Sequence, residues 1–351
     1  MNKDRKSKIR VGISAGDMNG VGMEVIIKTF LDNRMLDSCT PIIYGSSKVA
    51  SFHRKQLGIV DFSFHIINDA DDANPKRANL INCIDDDLTV ELGKSTKDAG
   101  KFAFKALEAA TKDIASNKID VLVTAPINKH NVQSDDFKFP GHTEYLADYA
   151  NEENPLMLMV DQELRVGLVT GHIPVKEVSE QLTIENILAK IRVMNKSLIQ
   201  DFGIRKPKIT VLGLNPHAGD KGLLGSEEET AIIPAIRKAN EEGILTFGPY
   251  GADGFFGSSS YSSADGILAM YHDQGLTPFK ALSFDTGVNY TAGLPIVRTS
   301  PDHGTGYEIA GQNKASESSF RNAVYLACDI FRNRREYKQL NANALKPKNA
   351  D

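Results

Sequence analysis

The chain has 351 residues, 41% apolar and 25% charged, a composition ordinary for a globular protein. Its 41 basic and 45 acidic residues leave a formal net charge of −4, and beyond the short stretch from Lys3 to Arg10 no basic run favours nucleic acid. The charged start Met1-Asn2-Lys3-Asp4-Arg5-Lys6 lacks the apolar region of a signal peptide, and no apolar stretch approaches the roughly 20 residues that span a bilayer, so a cytoplasmic location is expected.

Ile9–Ile13 is expected as a strand, followed by a glycine-rich turn and a helix over Glu24–Leu31. Lys97–Ser116 places Phe102, Ala106, Ala110 and Ile114 on one helical face, flanked by Leu107, and feeds a strand over Asp120–Thr124. Further strands are expected at Leu156–Val160 and Val166–Thr170. Thr183–Phe202 repeats the helical pattern with Ile184, Ile187, Leu188, Ile191, Met194 and Leu198, and leads into a strand over Lys208–Leu214. The serine cluster Ser258–Ser263 reads as a mobile loop. Strands at Ile267–Met270 and Leu294–Val297, a closing helix over Ser316–Arg334 and a frayed tail after Tyr337 complete the chain. Parallel neighbours need crossovers, so this alternation predicts an α/β architecture with mostly parallel strands, and the length predicts two lobes. Cys39, Cys83 and Cys328 have no metal-ligand spacing and are expected as reduced thiols.

Three histidines follow predicted strands: His172 in Val169-Thr170-Gly171-His172, His217 in Asn215-Pro216-His217-Ala218-Gly219, and His272 in Tyr271-His272-Asp273. Carboxyl ends of parallel strands face the ligand crevice, and three neutral imidazoles with open positions suit a divalent ion acting as Lewis acid. The plainer alternative for each is a strand-end hydrogen bond. Gly141-His142-Thr143-Glu144 opens a predicted helix, where backbone N–H groups favour an anion, although Thr143 is equally a plain helix cap. Lys280, Asn289 and Arg298 offer an ammonium, an amide and a guanidinium, the groups that bind phosphate, or are simply solvated. The turn Gly16-Asp17-Met18-Asn19-Gly20-Val21-Gly22 is neither a dinucleotide fingerprint nor a P-loop. A second glycine segment, Asp302-His303-Gly304-Thr305-Gly306-Tyr307-Glu308-Ile309-Ala310-Gly311, could bring backbone close to a cofactor or be an ordinary loop.

Five stretches carry a resemblance over most of the chain, from Gly12 to about Ala327: Thr124-Ala125-Pro126-Ile127-Asn128-Lys129, Phe139-Pro140-Gly141-His142-Thr143-Glu144, Leu214-Asn215-Pro216-His217-Ala218-Gly219-Asp220, Tyr271-His272-Asp273-Gln274-Gly275-Leu276, and Asp285-Thr286-Gly287-Val288-Asn289-Tyr290. In that order they resemble the 4-hydroxythreonine-4-phosphate dehydrogenase family of pyridoxal phosphate biosynthesis. The resemblance implies two α/β/α lobes, 1–138 plus 306–351 and 139–305, similar to isocitrate and isopropylmalate dehydrogenases, with the site in the interlobe cleft. It implies His172, His217 and His272 as metal ligands, and His142, Thr143, Lys280, Asn289 and Arg298 as substrate-binding residues. His303, Gly304, Thr305 and Gly311 fall on the cofactor loop, and Asp253 and Lys280 are the candidate proton acceptors. The implied cofactors are NAD or NADP and a divalent ion, with Zn²⁺ favoured over Mg²⁺, Co²⁺ or Mn²⁺. A homodimer sharing each site is implied, with His272 expected from the partner chain. Met18 and Met23 stand where the family usually has prolines. Alternatives are oxidation of threonate or erythronate 4-phosphate and, from other classes, a phosphate acyltransferase or a non-catalytic binding protein.

Overall fold

The computed structural model describes residues 8–84 and 88–342. Its strands are β1 (Ile9–Ser14), β2 (Cys39–Gly45), β3 (His65–Ile67), β4 (Asn79–Asn82), β5 (Val121–Thr124), β6 (Leu156–Asp161), β7 (Leu164–Leu168), β8 (Ile209–Leu212), β9 (Thr246–Tyr250), β10 (Gly266–Ala269), β11 (Val288–Ala292) and β12 (Arg298–Pro301). They form one sheet in the order β3-β4-β2-β1-β5-β12-β11-β6-β7-β10-β8-β9. From β3 to β12 every neighbour is parallel, and so is every neighbour from β7 to β9. Between these blocks β11 runs antiparallel to β12 and β6, and β6 antiparallel to β7. The lobes are therefore two parallel α/β blocks joined through an antiparallel centre.

The helices follow the apolar periodicity. Lys97–Ala115 starts where Thr96 Oγ1 accepts from the Ala99 N–H, and buries Phe102, Ala106, Leu107, Ala110 and Ile114. Ile184–Gln200 is capped in the same way by Thr183 and buries Ile187, Leu188, Ile191, Met194 and Leu198. The closing helix runs over Ser318–Asn341, beyond the Arg334 end expected from sequence; the tail from 343 onward lies outside the described residues. Among the described residues no helix is long and apolar enough to cross a membrane.

Leu294–Val297 is not a strand. Gly293, at φ +91°, ends β11, and the apolar residues Leu294 and Val297 are buried in the turn before β12. The serine cluster contains a short 3₁₀ turn, Ser260–Ser263, in which Ser262 and Ser263 hydroxyls bond to the carbonyls of Ser259 and Ser260.

At the antiparallel centre Ser300 lies opposite Asn289, and Asn289 opposite Met159. Their neighbours Thr299, Tyr290 and Leu158 point to the other face, because successive side chains alternate across a sheet. There Tyr290 donates to Asp201 Oδ2 at 2.6 Å, Ser197 donates to the same oxygen at 2.6 Å, and Arg334 Nε donates to Oδ1 at 2.6 Å. Asp201 is fully buried, so this pair fastens the closing helix and Ile184–Gln200 to the underside of β11. Arg334→Met strands the carboxylate and is expected to cost about 3–5 kcal/mol, measured by urea unfolding. A loss below about 1 kcal/mol would match an exposed ion pair and contradict this role.

Candidate active site

The upper face of the same strands forms the floor of a cleft. Arg298, at the start of β12, is 3% exposed and sends its hydrogen bonds to hydroxyls. Nε and Nη2 donate to Thr124 Oγ1 at 3.1 and 2.7 Å, and Nη1 donates to Thr291 at 3.1 Å and Thr143 at 3.5 Å. Burial pulls its pKa down to about 10, opposed by the nearby charge of Glu144, so it stays a cation at neutral pH. Asn289, Ser300, Met157 and Met159 complete the floor.

The walls bring together most of the residues singled out in the sequence. His142 and Thr143 enter from the helix His142–Tyr149, Lys280 and His272 from the helix His272–Ser283, and His172, His303 and Gly304 from loops. Lys280 Nζ lies 3.3 Å from Asp302 Oδ1. His142 Nε2, Asn289 Oδ1 and His303 Nε2 are buried with no partner within the protein, as groups awaiting a ligand would be. Desolvation, then the charges of Arg298 and Lys129, hold His142 well below its ordinary pKa of 6.5. Three residues given no role from the sequence also matter here. Lys129 Nζ lies 3.3 Å from His172 Nε2, Glu144 offsets the basic charge, and Asp302 orients Lys280.

The His172 and His272 rings face each other with centroids 5.7 Å apart. Burial, then Lys129, lowers the His172 pKa and favours the neutral imidazole. His272 Nδ1 is 2.7 Å from Asp273 Oδ1, which leaves Nε2 as the free nitrogen. His272 stands beside His172 within the one chain, because β7 and β10 are adjacent and their carboxyl ends deliver both histidines. His217 is the one that stands apart. It lines a separate pocket with Asp253, Tyr250 and Phe247, so Asp253 is also absent from the Lys280 cleft. Among the described residues no three His, Cys, Asp or Glu side chains of the chain cluster as a metal set.

The cofactor-loop candidates divide. His303 and Gly304 line the cleft, whereas Thr305 joins the first glycine turn, its carbonyl accepting from Val21 N–H at 2.8 Å. A Cβ on Gly20 would fall 2.5 Å from that carbonyl oxygen, so the approach requires glycine. Gly311, at φ +75°, packs on Leu92. Asp17 Oδ2 accepts from Tyr307 Oη at 2.7 Å and Asn131 Nδ2 at 2.8 Å, tying turn and loop together. Met18 and Met23 are 1% exposed, and His53 Nε2 meets the Met18 carbonyl at 2.8 Å, so packing and hydrogen bonds hold the turn without proline.

Residues 37–327 match the model of the pyridoxal phosphate biosynthetic protein PdxA family. The chain belongs to that family. A 4-hydroxythreonine-4-phosphate dehydrogenase from Bacteroides thetaiotaomicron is 56% identical over 97% of this chain and 94% of its own. A relative from Oceanobacillus iheyensis, provisionally named a D-threonate 4-phosphate dehydrogenase, is 38% identical over 91% of this chain and 97% of its own. The crystal structure of 4-hydroxythreonine-4-phosphate dehydrogenase from Klebsiella pneumoniae superposes with a TM-score of 0.80 at 31% identity, covering 93% of this chain and 100% of that one. Isocitrate dehydrogenase from Methylococcus capsulatus, 11% identical with a TM-score of 0.50 over 95% of this chain and 89% of its own, shares the fold.

His53 and His142 both sit below the ordinary histidine pKa near 6.5, burial being the largest cause for each. The folded state then binds fewer protons on them than the unfolded chain. Their stabilising effect is complete above about pH 6.5 and is lost as pH falls below it. The urea midpoint of the ligand-free protein should drop between pH 8 and pH 5.5, and His142→Asn should flatten that slope. Coincident slopes for variant and wild type would show that His142 is not held neutral.

Proposed function

We propose that this protein oxidises 4-hydroxythreonine 4-phosphate (4-phosphooxy-L-threonine) at C3 with NAD or NADP, giving 2-amino-3-oxo-4-phosphooxybutanoate. Loss of CO₂ then gives 3-amino-2-oxopropyl phosphate for pyridoxal phosphate biosynthesis. The observation that carries this reading is one cleft, in a member of this family, lined by the buried Arg298 cation, Lys280, neutral His142, Asn289 and two facing imidazoles.

Two neutral imidazoles side by side suit a divalent ion: His172 and His272 would hold it, and His217 of a second copy of the chain would supply the third nitrogen. When bound, the ion supplies Lewis acidity that eases ionisation of the C3 hydroxyl and steadies the negative charge left as CO₂ departs. The protein's own groups do the rest. Arg298 and Lys280 meet the phosphate, with Thr143 and the start of the helix His142–Tyr149 beside them. Asn289 Oδ1 and His142 Nε2 orient the polar end of the substrate. His303 and Gly304 would hold the nicotinamide, which when bound would accept the hydride released from C3. Of the two candidate proton acceptors, Lys280 stands in the cleft of this chain, held by Asp302; Asp253 lies in the His217 pocket instead.

The same reading makes the protein a homodimer in which each subunit would give its His217 to the other's cleft. A second substrate, threonate 4-phosphate, would use the same phosphate and hydroxyl contacts, and the name of the Oceanobacillus iheyensis relative favours testing it.

The test follows NADH or NADPH formation with each phosphate ester, with and without a chelator and metal add-back. Chelator-sensitive turnover favouring the amino-acid phosphate is expected, and His217→Ala should abolish it. Turnover confined to threonate 4-phosphate would move the protein to sugar-acid breakdown, and activity in His217→Ala would contradict the ligand assignment.

A further inference from the structure

His217 is presented by an unusual piece of backbone. In the turn Pro216–Gly222, His217 (φ 53°), Ala218 (φ 51°), Gly219 (φ 81°), Asp220 (φ 41°), Lys221 (φ 55°) and Gly222 (φ 87°) are all left-handed. Residues with a side chain ordinarily enter this region singly, and four of them in one turn persist only where the surroundings over-determine the conformation.

A buried carboxylate supplies that determination. Glu228, 2% exposed at the start of the π-turn Glu228–Ile232, accepts through Oε1 from the N–H groups of Leu214 and Asn215, both at 2.8 Å. Its Oε2 accepts from Asn215 Nδ2 at 2.9 Å. Glu227 accepts from the same amide at 2.8 Å and from Ser179 Oγ at 2.6 Å. A Cβ on Gly213 or Gly219 would come within 3.0 or 2.6 Å of a Glu228 oxygen, so both glycines leave room for the carboxylate. On the other flank Gln274, two residues after His272, donates to the Gly213 carbonyl at 2.6 Å. The His217 turn is thus braced between Glu228 and the helix that carries His272.

We propose that Glu228 is a positioning residue for His217 as a metal ligand: its carboxylate holds the left-handed turn that fixes where the His217 imidazole stands. The inference rests on the shared-metal reading above. Glu228→Gln keeps the size of the side chain but turns an N–H₂ group on the Asn215 amide, which is itself a donor there, so the brace loses its polarity match.

The experiment measures Zn²⁺ affinity of the dimer by competition with a chromophoric chelator, for wild type, Glu228→Gln, His217→Ala and Arg334→Met, alongside sedimentation and urea unfolding of the metal-free proteins. Glu228→Gln is expected to weaken Zn²⁺ binding about 10–100-fold with the dimer intact. Arg334→Met, destabilised beneath β11 rather than at the His217 turn, should keep wild-type affinity. Wild-type affinity in Glu228→Gln with loss in His217→Ala would overturn the inference and leave the metal reading standing. Wild-type affinity in His217→Ala would overturn that reading instead. Weakened binding that comes with dimer dissociation, or that Arg334→Met reproduces, would reduce Glu228 to a structural support and overturn the proposal.

Discussion

Arg298 keeps a guanidinium out of water with threonine hydroxyls as its hydrogen-bond partners. Removing a cation from solvent costs several kcal/mol, and neutral hydroxyls return only part of that. Glu144 offsets the charge at a distance without bonding to it. An anion arriving beside it would remove the remaining deficit, which is the physical basis of the proposed phosphate contact. Everything around it serves to keep that cation in place. The pleat sends Arg298, Ser300 and Asn289 upward, and sends Thr299 and Tyr290 down onto the closing helix and the Asp201–Arg334 pair. A strand whose lower face is locked by a buried ion pair gives its upper face little freedom to shift.

The antiparallel centre also explains how one chain assembles so much of a site and leaves one piece out. The blocks on either side deliver loops to the same cleft: Thr124 to Lys129 from the first, His172 and His272 from the second. β8 lies on the far side of β10 from β7, and the left-handed turn after it carries His217 into another pocket. Two histidines in the cleft and a third in a separate pocket are what the proposed twofold dimer would bring together, each subunit giving and receiving the same residue.

Much of this was legible in the sequence because periodicity and turn chemistry report local structure directly. The helices Lys97–Ala115 and Ile184–Gln200 followed from their apolar faces. The substrate candidates His142, Thr143, Lys280, Asn289 and Arg298 do converge. What was not legible depends on direction and partners in space. A histidine after a strand looks the same whether the following turn is right- or left-handed, so nothing in the sequence marked His217 as the one set apart from the cleft. Leu294–Val297 reads as a strand because it is mostly apolar, but Gly293 turns the chain and the buried Leu294 and Val297 belong to a bend. Glu228 and Asp17 sit in polar stretches where a carboxylate that bonds to backbone N–H or a tyrosine hydroxyl cannot be told from a solvated one.

Mixing two inactive variants tests the shared site most directly. His172→Ala and His217→Ala homodimers are each expected to lack a complete histidine set. After subunit exchange, half of the dimers are mixed, and each mixed dimer has one cleft with His172 and His272 from one chain facing an intact His217 from the other. The account predicts recovery of about a quarter of wild-type turnover. No recovery in a mixture shown to contain mixed dimers would mean that the three histidines are not shared across subunits in this way.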